Sequence, residues 1–155
     1  MIKHDVVWSH VEALLERMLG VDSVAHDDGA WPIRTGHGAY TVRVNGPRHP
    51  HVEVFAVALH DLAMTREAFL EVNDLNARSS HVRWFLDADR LIVASELVGG
   101  TLDYEELVCV CEEVRCFINE VVPGVAQKID GKLPYADSYI GESADLEPAA
   151  IGMYL

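Results

Sequence analysis

The order of apolar periods along the chain predicts an α+β domain, α-β-β-β-α-β-β-α, with one antiparallel sheet and helices packed on it. Three observations carry this expectation. Thr65 to Leu107 reads as a capped helix, an aromatic-rich β-hairpin and the start of another capped helix. Tyr40, Val42 and Val44 alternate with Thr41, Arg43 and Asn45, the period of a strand with one buried face. A helical apolar stripe opens the chain. With 155 residues, half of them apolar, the chain is long enough to bury one core.

Asp5 is the expected cap of the first helix, along which Val7, Val11, Leu14 and Met18 recur at helical spacing. Trp8, Leu15 and Leu19 widen that stripe, and Gly20 supplies the stop. Asp22 to Gly29 reads as a polar loop before a short strand, Trp31 to Thr35. The Tyr40 to Val44 strand ends at Gly46-Pro47. In the next strand, Val52 to Leu59, Val52, Val54, Ala56 and Ala58 share one face and Phe55, Val57 and Leu59 the other. Both faces therefore want cover.

Thr65 can cap a helix striped by Phe69, Val72 and Leu75, with Ser79-Ser80 at its end. His81 to Leu86 and Leu91 to Val98 form strand-like runs joined by Asp87-Ala88-Asp89-Arg90, hence a hairpin. Gly99-Gly100 breaks the chain. Asp103 with Glu106 then makes an Asp version of a capping box. Leu107, Cys111, Val114, Ile118 and Val121 line the inner face of the last helix, which Pro123 is expected to limit. A domain of residues 1–125 is thus expected, followed by a tail, 126–155, that is extended or disordered. In this tail Tyr135, Tyr139, Ile151, Met153, Tyr154 and Leu155 are apolar anchors. Such a composition suits either a strap over another surface or a frayed terminus.

Twelve basic against 25 acidic side chains give a formal charge of −13. That charge repels phosphate backbones and anionic lipid, so neither nucleic acid nor membrane is an expected partner, whereas a basic polypeptide would be attracted. Asp5, Glu12, Glu16 and Arg17 interrupt any signal-peptide core, and a cytoplasmic location is expected. Cys109, Cys111 and Cys116 fall in one helix. Cys109 and Cys116 lie about 10 Å apart along it at 1.5 Å rise per residue, too far for a disulfide, and Cys-x-Cys alone is poor zinc spacing. Reduced, structural thiols are expected.

If the first and last helices cover the face bearing Tyr40, Val42 and Val44, the opposite face presents Phe55, Val57, Leu59, Phe85 and Ile92. An apolar patch of that kind wants a second copy, the middle helix or a bound peptide. These five residues are the expected partner or dimer surface. Trp8, Leu15 and Leu19 could line a groove beside the first helix, or simply pack in the core. Asn73 and Asn76 could bond a partner's backbone, or the protein's own loop.

The motifs Val72-Asn73-Asp74-Leu75-Asn76, Trp84-Phe85-Leu86 with Leu91-Ile92-Val93, and Leu102-Asp103-Tyr104-Glu105-Glu106-Leu107 resemble the YbjN family. That family is similar in fold to the type III secretion chaperones (CesT-like). The resemblance implies a small acidic homodimer, without cofactor, that holds an extended stretch of a client protein. The long segment after Pro123 departs from that pattern.

No nucleophile elbow, phosphate-cradling glycine loop or metalloprotease helix occurs in the sequence, so no catalytic residues are expected. His49-Pro50-His51 could bind metal only if a third ligand, such as His37 or His60, folded nearby; a solvated loop is the simpler reading. The alternative to a chaperone or adaptor is a small-molecule- or metal-responsive regulatory domain using those histidines.

Overall fold

A computed structural model describes residues 2–21, 24 and 29–134. Helix α1 spans His4–Leu19. Strands β1 (Ala30–Arg34), β2 (Ala39–Asn45) and β3 (His51–Leu59) follow, then α2 (Arg66–Arg78). The hairpin β4 (Arg83–Asp87) and β5 (Arg90–Val98) precedes α3 (Tyr104–Cys116), a π-helical turn (Phe117–Val121) and α4 (Val122–Ile129). The five strands form one sheet in the order β1-β2-β3-β5-β4, antiparallel throughout. Element type and order are those read from the sequence, with one helix added.

Helices α1 and α3 pack on the face bearing Tyr40, Val42 and Val44, all of them buried. On α1, Val7, Val11 and Leu15 turn inward. Two imidazoles fix its position: His4 Nε2 donates to the Val44 carbonyl (3.1 Å) and His10 Nε2 to the Leu102 carbonyl (2.8 Å). The Arg17 guanidinium lies 3.8 Å over the Tyr104 ring and ties α1 to α3. Asp5 does not cap α1. The cap position is Lys3, and Asp5 sits in the first turn, where its charge still complements the helix dipole.

In α2, Thr65 Oγ1 accepts from the Ala68 N–H (3.2 Å), so the expected cap is present. The buried positions are Ala68, Glu71 and Leu75, however, and Phe69 is exposed. The inner stripe is rotated from the expected one because the Glu71 carboxylate turns inward to Lys128 Nζ of α4 (2.6 Å), with Arg78 at 3.9 Å.

Pro123 does not end the last helix. The backbone passes through the π-helical turn, and Pro123 then falls in the first turn of α4, where a missing N–H costs no intrahelical bond. Helix α4 buries Val122, Val125, Ala126 and Ile129. The ordered unit therefore runs beyond the expected boundary at 125, and Lys132 exchanges backbone hydrogen bonds with His60 (3.0 Å each). Of the tail expected from Ala126, residues 135–155 lie outside the described residues, with its apolar anchors and the strap they were expected to form.

Candidate functional site: the helix-free sheet face

Register decides which side chains share the second face. Thr41 pairs with Phe55 and Arg43 with Glu53; Glu53 pairs with Glu96, Phe55 with Ala94, and Val57 with Ile92; Ile92 pairs with Phe85. Cross-strand partners point the same way, so Phe55, Val57, Ile92, Ala94 and Phe85 form an apolar centre. Arg43, Glu53 and Glu96 flank it at one end, Asp87 and Arg90 at the other. Together they enclose an open concavity of about 390 Å³. Helix α2 does not cover it, since that helix packs against β4 and α4.

Of the five residues expected at this surface, four lie on it with unequal access. Phe85 is 44 % exposed, and Val57 and Ile92 are partly exposed. Phe55 is only 6 % exposed because the Arg43 guanidinium stacks 4.5 Å over its ring while also pairing with Glu53. A partner reaching Phe55 must first move that arginine.

Leu59 is the correction. The β3 to β5 register shifts between Val57 and Leu59, so Leu59 pairs with Leu91. A one-residue slip turns a side chain to the other face. Leu59 consequently lies in the core at 0 % exposure, in a cluster with Leu62 and Leu91. Val98, 67 % exposed and paired with His51, belongs to the open face and was not anticipated. Strict alternation from Ile92 through Ala94 and Glu96 to Val98 along β5 was the signal that could have found it.

The groove candidates disperse. Leu15 is fully buried. Trp8 packs against Trp31 with ring centroids 4.9 Å apart, and Leu19 is half-buried at the end of α1. Asn76 is committed within the fold: its Nδ2 donates to the Trp84 carbonyl and its Oδ1 accepts from the Trp84 N–H, both at 2.9 Å. One amide side chain thus imitates a neighbouring strand on the outer side of β4. Ser79 completes the clasp by accepting from Trp84 Nε1 (3.0 Å) and donating to the Leu75 carbonyl (2.8 Å). Asn73 is exposed. The other sheet edge, β1, has no strand on its outer side among the described residues.

A second clasp was missed altogether. Asn119, carried by the π-helical turn, accepts at Oδ1 from Thr35 Oγ1 (2.8 Å) and the His37 N–H (2.9 Å), pinning the β1–β2 turn to the last helix. Its fixing depends on the π-turn, which has no signature in the residue pattern. The histidines His37, His49, His51 and His60 do not converge: no three of them meet among the described residues. The three cysteines are free. Burial, opposed by a hydrogen bond with Tyr40, pushes the Cys111 thiol up to about 12, and the same burial raises the Tyr40 phenol. Neither group can ionise at neutral pH, so this buried pair offers no nucleophile.

A five-stranded antiparallel sheet is clothed by helices on one face and presents an apolar, charge-rimmed second face, the kind of patch that marks interaction surfaces. Residues 5–137 match the family model described as T3SS (YopN, CesT) and YbjN peptide-binding chaperone 1, and the chain belongs to that family. It is a non-catalytic, client-binding chaperone by family. No curated protein sequence matches it.

Among solved structures, the chain is similar to one described as the Yersinia pestis type III secretion chaperone SycH in complex with a stable fragment of YscM2. The TM-score is 0.56 at 14 % identity, over 72 % of this chain and 96 % of that one. It is also similar to a chain of the HopA1–SchA chaperone–effector complex (TM-score 0.56, 12 % identity, 80 % and 97 % covered). A third similarity is to a chain of the ExoU–SpcU heterodimeric complex from the Pseudomonas aeruginosa type III secretion system (TM-score 0.52, 18 % identity, 73 % and 95 % covered). At these identities the likeness is one of fold.

Proposed function

We propose that this chaperone holds an apolar, basic segment of a client protein on the helix-free face of its sheet. The observation that carries the reading is Phe85, 44 % exposed on edge strand β4, on a face that no helix covers among the described residues, beside partly exposed Val57 and Ile92. Burying an aromatic side chain and its neighbours from water stabilises a complex by roughly 25 cal/mol per Å² of apolar area. Arg43 and Arg90 pair with Glu53 and Asp87, so the surplus charge at the rim is that of Glu96, which, within a chain of net charge −13, favours a cationic segment. Arg43 gives the face an adjustable element, because releasing its stack on Phe55 would uncover a second aromatic ring. The working unit on this reading is a cytoplasmic homodimer whose three thiols stay reduced.

The test is a fluorescence titration of peptides that differ in apolar and basic content, using wild type and Phe85→Asp. The reading expects binding that prefers apolar, basic peptides, weakens with salt and falls at least tenfold in the variant. Unchanged affinity in a variant that melts like wild type would place the client elsewhere. Light scattering of both proteins separates the dimer from the client: a dimer that survives Phe85→Asp is formed by another surface.

A further inference from the structure

At the charged end of the open face, His51, Glu53 and Glu96 place three potential ligand atoms within 4.8 Å of one another. We propose that these three side chains form a binding site for a divalent transition-metal ion of the zinc type.

Each ligand has a reason to stand where it does. Glu53 and Glu96 are directly paired across β3 and β5, and His51 lies two residues from Glu53, on the same face. Like charges placed directly opposite in a sheet repel, and Arg43 pairs with Glu53 alone. A cation between the two carboxylates removes that repulsion. The imidazole is oriented for the same purpose. His51 Nδ1 faces the His49 carbonyl at 3.4 Å, a contact that favours the tautomer with the proton on Nδ1. Nε2 is then the lone-pair nitrogen, and it faces Glu53 Oε1 at 3.7 Å. Arg43 holds the other Glu53 oxygen, leaving Oε1 for the ion. Backbone carbonyl on the histidine and cation on the carboxylate are the outer-shell partners that fix ligands around a metal.

Tetrahedral zinc, bonded at about 2.0–2.2 Å, holds its ligand atoms roughly 3.4 Å apart. The His51 to Glu53 spacing is already close to that, and Glu96 is exposed and free to swing in. One nitrogen and two carboxylate oxygens suit zinc better than calcium or magnesium, which favour all-oxygen shells. The histidine pair His49 and His51 was the sequence signal, but the sheet supplies the other ligands from strands rather than from histidines.

Isothermal titration of the full chain with zinc chloride in a non-chelating buffer tests the site, with magnesium chloride as the competing hard cation. One saturable zinc site is expected, weakened at least tenfold in both His51→Ala and Glu96→Gln and indifferent to magnesium excess. Metal-free Glu96→Gln is expected to melt no lower than wild type, because the substitution removes the opposed charge. Absence of saturable zinc binding by the wild type overturns the proposal, as does binding that persists in either variant.

Discussion

Asn76 and Phe85 lie nine residues apart and serve opposite ends: one closes a surface of the fold and the other leaves one open. Asn76 satisfies the outward N–H and C=O of Trp84 together. Asn76→Ala strands both groups at the sheet edge, and chemical denaturation should show a loss of about 1–3 kcal/mol. Asn76→Asp keeps the acceptor but sets a carboxylate oxygen against the Trp84 carbonyl, and should cost at least as much. Cys111 is a second residue whose chemistry is set by its surroundings. Thiolates alkylate, and burial holds Cys111 neutral, so iodoacetamide at pH 8 should label exposed Cys109 first and Cys111 last, with Cys111 reacting at an ordinary rate only in denaturant. Mass spectrometry of timed samples reads this directly.

At the scale of elements, the caps at Thr65 and Asp103, the glycine stop at Gly20 and the alternation of β2 were legible because each rests on local stereochemistry. What escaped depends on contacts distant in sequence. The β3 bulge that turns Leu59 inward, the inward Glu71 held by Lys128 of α4, and the passage of the last helix through a π-turn past Pro123 leave no periodic trace. The final segment is attached by such a contact. Asp61, in the left-handed region at φ 55°, pairs with Lys132 Nζ at 3.0 Å beside the His60 to Lys132 bridge. That hydrogen bond, with help from His60, lowers the Asp61 carboxyl below its ordinary value. Folded Asp61 therefore binds fewer protons than unfolded near that ordinary value. Its contribution is complete above it and is lost as pH falls through the depressed folded value. Amide exchange at Lys132, corrected for intrinsic rate, should accelerate across that acidic window. Asp61→Asn keeps the backbone conformation, which Asn tolerates, and should make exchange there uniformly faster and insensitive to this titration.

At the scale of the whole molecule, the two sheet faces differ in cover. One is closed under α1 and α3 and carries the core. The other is apolar at its centre, charged at both ends and, among the described residues, without helical cover; it is the surface proposed for the client. Fold class, chaperone family and the place of Phe85, Val57 and Ile92 on one face could be read from alternation and motif; the cover that Arg43 gives Phe55 could not, since it comes from an adjacent strand. Methyl chemical-shift mapping while a bound basic, apolar peptide is titrated in tests the division most directly. Progressive shifts are expected at Val57, Ile92 and Val98, with Val42, Val54 and Val93 beneath the helices unmoved. Shifts confined to α1 or to Leu70 of α2, with the open-face methyls silent, would contradict it.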